Sequence, residues 1–384
     1  MLDEGHVTEV KLPPGPGVSS PAFAAWFLFS RPRVFAACVR RYGRVFSLTV
    51  PLFGRSVVIA DAALAKELFA APVAEIGRTV PNLDSLLGSG SIFALDGQEH
   101  RNRRRLLTPP FHGKSVKNYV KIFEEETLRE TQNWPMGQQF ATYPSMMRIT
   151  LSTILRSVFG AGGAQLQELR EVLPAFVGLG SRLTPLPTPE SVKPLLENMP
   201  CLPWGRLAAY RRRYEAVIDQ LIVAARTDPQ LDSRSDIFAL LLRSRYADGS
   251  AMSRTEIGDE LLTLLAAGHE TTAATLGCTS ILFALSELHP HRDDFPQPHR
   301  FMPERFIGRR LPSAWAPYGG GMRRCVGANF ANIQMDVILR TILRHFDLQT
   351  TTAPDEKMHS RGITYTLKAG ARAVVRRRAD SPRN

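Results

Sequence analysis

Hydrophobic positions recur every three to four residues along most of the chain, with short alternating stretches near both ends. Residues 31 to 41 read as a helix. The stretch "GRVFSLTVPLFGRSVVIAD" that follows predicts two strands around a turn near Pro51 to Gly54. "AALAKELFA" is a short helix, and from about 114 to 180 the pattern is mostly helical. The proline-rich "LTPLPTPESVKP" breaks it near 183 to 194, and helix resumes around 205–226 and 235–247. The clearest element begins at Ser253. "SRTE" is a capping box, with Ser253 as N-cap and Glu256 placed to reach back. The helical pattern then runs to about His289, some 37 residues and about 55 Å long. A second strong helix starts at about Gly327, and the C-terminal "GITYTLKAGARAVVRR" alternates like a hairpin. A helix this long and apolar runs through the middle of one large domain, mainly α with small β-sheets.

Charge and composition narrow the classes. The net charge is +12, with basic clusters at Arg101 to Arg105, Arg211 to Arg213 and Arg376 to Arg378. They lack the interleaved aromatics of single-strand binders and the spacings of duplex readers, so no nucleic-acid partner is expected. Solvated faces and a positive surface that steers an acidic protein both remain open. The longest apolar run near the N-terminus, Ala22 to Phe29, is eight residues, too short to cross a bilayer. The residues before it do not resemble a secretory signal. A cytoplasmic, monomeric protein with no membrane anchor is the expectation. The four cysteines, Cys38, Cys201, Cys278 and Cys325, are far apart, which argues against disulfides and structural zinc. Cys38 and Cys278 read as core thiols in apolar helices.

Three stretches carry candidate chemistry. In "APYGGGMRRCVG", the glycines let the backbone approach a flat or bulky ligand. Cys325 stands just before a helix, where the macrodipole favours thiolate, and Arg323 can neutralise an anionic group. Such a thiolate is a soft metal ligand; a phosphate loop is the rival, but its GxxxxGK[ST] pattern is absent. "AAGHETT", Ala266 to Thr272, sets Gly268, Glu270 and Thr271 inside the long helix. An acid beside an alcohol is a workable proton relay, and a surface-facing polar strip is the plainer reading. In "DGQEHRNRRRLL", His100 and Arg104 lie four apart on one helical face, able to bind a carboxylate or to be merely solvated.

Taken in order and over nearly the whole length, these stretches resemble the cytochrome P450 haem-thiolate monooxygenases. The family's haem loop, Phe-x-x-Gly-x-Arg-x-Cys-x-Gly, is matched by Tyr318, Gly321, Arg323, Cys325 and Gly327, with tyrosine in place of phenylalanine. Ala267, Gly268, Glu270, Thr271 and Thr272 match its oxygen-activation motif. His100 and Arg104 match the pair that holds the haem propionates, and "FMPERF", with Arg305, matches the segment before the haem loop. The resemblance implies the cytochrome P450 fold as a single domain over 1–384. Its parts would be a β region about 42–60, a helical core about 95–350 and the haem-binding loop 318–327. It implies haem b (iron protoporphyrin IX) on Cys325, with Thr271 and Glu270 as catalytic residues. Electrons would come from a ferredoxin or flavin reductase, for monooxygenation of a hydrophobic small molecule. By the same resemblance, the substrate pocket would draw on Leu83 to Phe93, on Leu264 and Ala267, and on the turn at Ile363 to Thr366.

One part of the family pattern is missing. The family carries a Glu-x-x-Arg helix between the oxygen-activation helix and "PERF"; here His289-Pro290 abuts His291-Arg292 directly. Glu126 and Arg129 have that spacing but lie far upstream, on what reads as a surface helix. An internal deletion at about 290/291 would make the fold incomplete. Arg305 would lose its charged partners, and the strands at Val45 to Leu48 and Val57 to Ile59 would lose neighbours. A catalytically inactive family remnant is the alternative function.

Overall fold

A computed structural model describes residues 12–16, 33–50, 54–72, 83–113, 115–160, 163–183, 192–277, 297, 302–308, 315–349, 356–360 and 365–379. The chain forms two compact units, Met1–Pro72 with Phe283–Arg324, and Val73–Leu282 with Cys325–Asn384. Cys278, the junction at 290/291 and Ile363 lie outside the described residues.

In the first unit, helix α1 (33–42) lays Val34 and Cys38, one turn apart, against strand β1 (Val45–Val50). Phe46 and Leu48 alternate inward from β1, and together the four close a small core. Burial raises the Cys38 thiol pKa, as befits an inert core cysteine. β1 pairs antiparallel with β2 (Gly54–Ile59), from Val45 opposite Ile59 to Val50 opposite Gly54. Among the described residues this sheet has two strands. The outer edge of β1 is partly covered, because the Ser47 amide donates to the Pro14 carbonyl at 3.0 Å. Helix α2 (Ala62–Ala70) follows, with Asp61 accepting from the Ala63 and Leu64 amides as N-cap.

The second unit holds the large core. Its helices are α3 (Leu83–Leu87), α4 (Gly97–Leu107), α5 (Val120–Thr131), α6 (Tyr143–Phe159), α7 (Ala164–Leu183), α8 (Lys193–Glu197), α9 (Pro203–Arg226), α10 (Ile237–Arg243), α11 (Arg254–Gly277) and α12 (Ala328–His345). Twelve of the 17 residues of α6 are buried, which makes it the central helix, and α11 packs along it. The capping box forms as expected: the Ser253 amide donates to Glu256 Oε2 at 2.7 Å, and the Glu256 amide to Ser253 Oγ at 3.2 Å. An aromatic cluster joins α5 to α12. Phe330 stands 5.1 Å from Phe123 and 5.7 Å from Phe111 and Tyr119, between ring centroids.

Two expectations need correcting. The C-terminal alternation is not a hairpin. Strand β6 (Tyr365–Leu367) pairs with β5 (Met358–Ser360), whereas β7 (Arg372–Arg377) lies between β3 (Gln139–Ala141) and β4 (Phe346–Gln349). The connection is turned aside by Glu356, whose carboxylate accepts from the amides of Ala369, Ala371 and Arg372 at 2.8–3.2 Å. Gly370 and Ala371 both take positive φ, at 82° and 57°. Exchanging Glu356 for alanine leaves those three amides without their acceptor, and a loss of about 1–3 kcal/mol in denaturant unfolding is expected.

Nor does Glu126 face solvent, although α5 exposes one side, as at Lys121 and Arg129. It is 3% exposed, and its carboxylate accepts from Arg129 and, across to α6, from Arg156, each at 2.7 Å. Those two guanidiniums hold a buried charge that a lone surface pair would leave in water.

Candidate haem site

α11 is buried on nearly every side through its middle. Leu261, Leu262, Leu265, His269, Glu270, Thr272 and Ala273 are all buried. Ala267 and Thr271 are exposed, and Leu264 and Gly268 are half-buried beside them. Positions 264, 267, 268 and 271 share one face, so a narrow open stripe runs along a helix otherwise enclosed by core. The Thr271 hydroxyl donates to the Ala267 carbonyl along this stripe. Glu270 is on a different side, buried. Gly268 serves close packing: a Cβ there would stand 3.1 Å from Ile154 Cδ1 of α6.

His269, to which the sequence attached no role, faces inward. Its Nδ1 lies 3.2 Å from Thr150 Oγ1, and that hydroxyl also donates to the His269 carbonyl at 3.1 Å. Burial pushes its pKa down to about 4, so the imidazole is neutral at physiological pH.

On α4, His100 is buried and Arg104 half-buried, on one face as the spacing predicts. Between them Arg103 is also buried, 2% exposed, although it belongs to a run of arginines that reads as solvated. It shares the inward face because it follows His100 by three residues. That spacing is the only signal the sequence offered.

The glycine-rich loop divides between the units. Tyr318, Gly321 and Arg323 belong to the first, and Cys325 and Gly327 to the second. Within the first unit the glycines answer to packing. A Cβ on Gly320 would stand 2.5 Å from the Phe69 ring of α2, and one on Gly321, at φ 58°, would stand 2.0 Å from the Phe69 carbonyl oxygen. Tyr318 is half-buried and Arg323 exposed. Cys325 is exposed, and its Sγ lies beside the first turn of α12: Gly327, the N-cap, would bring a Cβ to 4.0 Å from that sulfur. A thiol open to solvent at a helix N-terminus is a soft ligand to iron, and small residues on α11 leave room for a flat group. The residues present fit haem b.

The family model described as "Cytochrome P450" matches residues 13–285 and 278–370. "Putative cytochrome P450 138" of Mycobacterium tuberculosis is 49% identical, over 96% of this chain and 97% of its own length. The chain belongs to the cytochrome P450 family. "Putative cytochrome P450 135B1" of the same species is 33% identical, over 96% and 92% of the two chains. Among solved structures, "Retinoic acid bound cyanobacterial CYP120A1" superposes with a TM-score of 0.81 at 20% identity, covering 96% of this chain and 100% of the other. "Crystal structure of cytochrome P450DA heme domain" gives 0.77 at 18%, over 96% and 98%. The fold is therefore the cytochrome P450 fold, mainly α with small antiparallel sheets, and its cofactor is haem b. Among the described residues no helix is long and apolar enough to cross a membrane.

The comparisons also bear on the missing segment. The alignment to the first of these relatives is 435 positions long against a chain of 384, so at least 51 positions (435 less 384) face no residue of this chain. The family match itself restarts over 278–285, a few residues before the 290/291 junction read from the sequence. Arg305 departs from the expectation of a stranded charge. It is only half-buried, and its guanidinium donates to the carbonyls of Met302 at 3.1 Å and Gln297 at 3.2 Å.

Proposed function

We propose that this cytochrome P450 inserts one oxygen atom of dioxygen into a hydrophobic small molecule, with electrons from a ferredoxin or flavin reductase. The observation that carries this reading is the open Leu264–Ala267–Thr271 stripe on a helix otherwise buried in core. Haem bound at Cys325 supplies the redox and oxygen-activating chemistry. Cys325 would hold the iron as thiolate. His100, Arg104 and Arg323 would donate to the propionates, and Tyr318, Gly321 and Gly327 would shape the loop around the cysteine. Ala267 and Gly268, as small residues, would leave room for the macrocycle. Leu264 and Ala267 offer an apolar wall to the substrate.

Thr271 lies on the open stripe and donates its proton to the Ala267 carbonyl. Turned outward, that hydroxyl would hold a proton at Oγ1 toward the stripe, with the neighbouring Glu270, buried on another side of the helix, as the second acid of the pair. Replacing Thr271 by valine keeps the shape and removes the proton. Product formation is then expected to fall about 10²-fold while haem content stays unchanged. Undiminished turnover would remove Thr271 from the mechanism. The protein acts as a monomer in the cytoplasm in this reading, without a nucleic-acid partner.

The missing positions favour a second reading, a family remnant that folds without catalysing. The carbon monoxide difference spectrum of the reduced, purified chain, expressed with haem supplied, separates the two. A strongly red-shifted Soret band supports the monooxygenase; its absence supports the remnant.

A further inference from the structure

A dense ionic cluster joins five parts of the second unit: α4, α9, α11, the Gly88–Ala94 segment and Tyr246 beyond α10. Arg103 of α4 donates to Glu260 Oε1 at 2.8 Å, to Glu256 of the same α11, to the Tyr246 hydroxyl at 2.9 Å, and to the Gly90 carbonyl. Asp259, also on α11, accepts from the Gly90 amide at 2.8 Å and from Arg211 of α9, which in turn holds Glu215. Thr263 donates to Ser91 Oγ at 2.7 Å. The chain from Gly88 to Ala94 is therefore pinned to α11 at two successive turns, at Asp259 and Thr263. It fits closely as well: a Cβ on Gly88 would enter the Asp259 carboxyl, and one on Gly90 would stand 3.0 Å from Glu256 Cα.

Glu260 is the exceptional member. It is fully buried, and among the described residues its Oε2 has no hydrogen-bond partner. Two influences oppose each other there. Arg103 and the Ile92 amide favour the carboxylate, while burial and the neighbouring Asp259 disfavour it. Burial prevails because Arg103 already shares its charge with Glu256, and the Glu260 pKa is pushed up to about 7. Glu256, by contrast, is part-exposed and held below the usual carboxylate range by its amide, tyrosine and arginine partners against the opposing effect of burial.

We propose that Glu260 is a proton-controlled latch on the Gly88–Ala94 segment: the neutral carboxyl keeps the segment seated on α11, and ionisation favours an opening that lets water reach the carboxylate. The sign follows from linkage. A carboxyl that binds its proton more tightly in the closed form than in water stabilises the closed form as pH falls, and that stabilisation is lost as pH rises through 7. Arg103 keeps Glu256 in either state, so the cluster loosens without falling apart. Thr263, Ala267 and Thr271 follow one another at four-residue intervals, about 6 Å apart along α11. Lifting Ser91 off Thr263 uncovers that hydroxyl beside Leu264, at the N-terminal end of the open stripe. Under the proposed function, which this consequence rests on, ligands gain access more readily above neutral pH; the latch itself does not depend on haem.

The test is amide hydrogen exchange at Gly90 and Ile92 of the full chain from pH 5 to pH 8, each rate divided by its intrinsic value. The opening equilibrium is expected to rise at least about tenfold over that range in the natural chain and to stay flat in Glu260→Gln. Amides of α6 report global unfolding, which the same linkage also favours as pH rises, so the opening counts as local only where Gly90 and Ile92 stay less protected than α6 at every pH. A flat profile in the natural chain, or the same rise in the variant, overturns the latch. Should Glu260→Gln fail to fold, infrared titration of the natural chain decides: a protonated carboxyl band present at pH 6 and gone by pH 8 supports the assignment, and no such band overturns it.

Discussion

Exchanging Cys325 for serine is expected to abolish the red-shifted Soret band of the reduced carbon monoxide complex and to lower any monooxygenation at least about 10³-fold. An alcohol at this position offers the iron a hard, protonated oxygen in place of a polarisable thiolate, and the electron donation that favours O–O cleavage goes with it. The same exchange is expected to leave stability within about 0.5 kcal/mol, because Cys325 is exposed. Spectroscopy and denaturant unfolding on one preparation therefore separate ligation from folding. A serine variant that kept the red-shifted band would show the thiolate comes from elsewhere. A natural chain without the band would make the comparison idle and would place the protein with the remnants.

The second large effect is expected at Phe330. This ring is 3% exposed and sits among Phe111, Tyr119 and Phe123, in the first turn of α12. Truncation to alanine removes a buried aromatic ring and leaves a cavity between α5 and α12, at a cost of about 3–5 kcal/mol. The midpoint of chemical unfolding reads that cost directly. Phe330 follows Cys325 by five residues, so the loss loosens the helix start beside the sulfur as well. Haem retention is expected to fall together with stability, in contrast to the serine variant, where only ligation changes. Phe330→Leu, which keeps most of the volume, is expected to recover more than half of both. A cost near zero would mean that the α5–α12 packing does not hold the N-terminus of α12 in place.

The two variants probe different kinds of legibility. Cys325 could be proposed from the sequence because a metal ligand has to be one residue type with a fixed local setting, and glycine, arginine and cysteine at set spacings describe that setting. The capping box at Ser253 and Glu256 was readable for the same reason, since its hydrogen bonds close within one turn. The hairpin at β1 and β2 and the short helix α2 also fell where alternation and periodicity put them. In each case the interactions that decide the outcome lie within a few residues of one another.

Other positions were decided at long range. Arg103 and Arg105 are equivalent in a run of arginines, yet Arg103 is buried because acids 153 and 157 residues further on meet it from α11. Glu126 read only as part of a surface helix, and Arg156 of a neighbouring helix brings the second cation to its buried carboxylate. β6 and β7 alternate as a hairpin would, yet they join separate sheets, with the carboxylate of Glu356 holding the connection and β3 and β4 flanking β7. Glu270 and Thr271 are adjacent in the sequence, but the packing of α11 turns one inward and the other to the open stripe.

By itself the sequence determined the family and the cofactor, and it supports the proposal of Cys325 for the iron, because these depend on local chemistry at fixed spacing. Tertiary structure alone decided which charges are buried, how the C-terminal strands pair and which face of α11 is open. Burial and strand pairing are free-energy differences set by whatever partner arrives from far along the chain, and no local pattern carries that information.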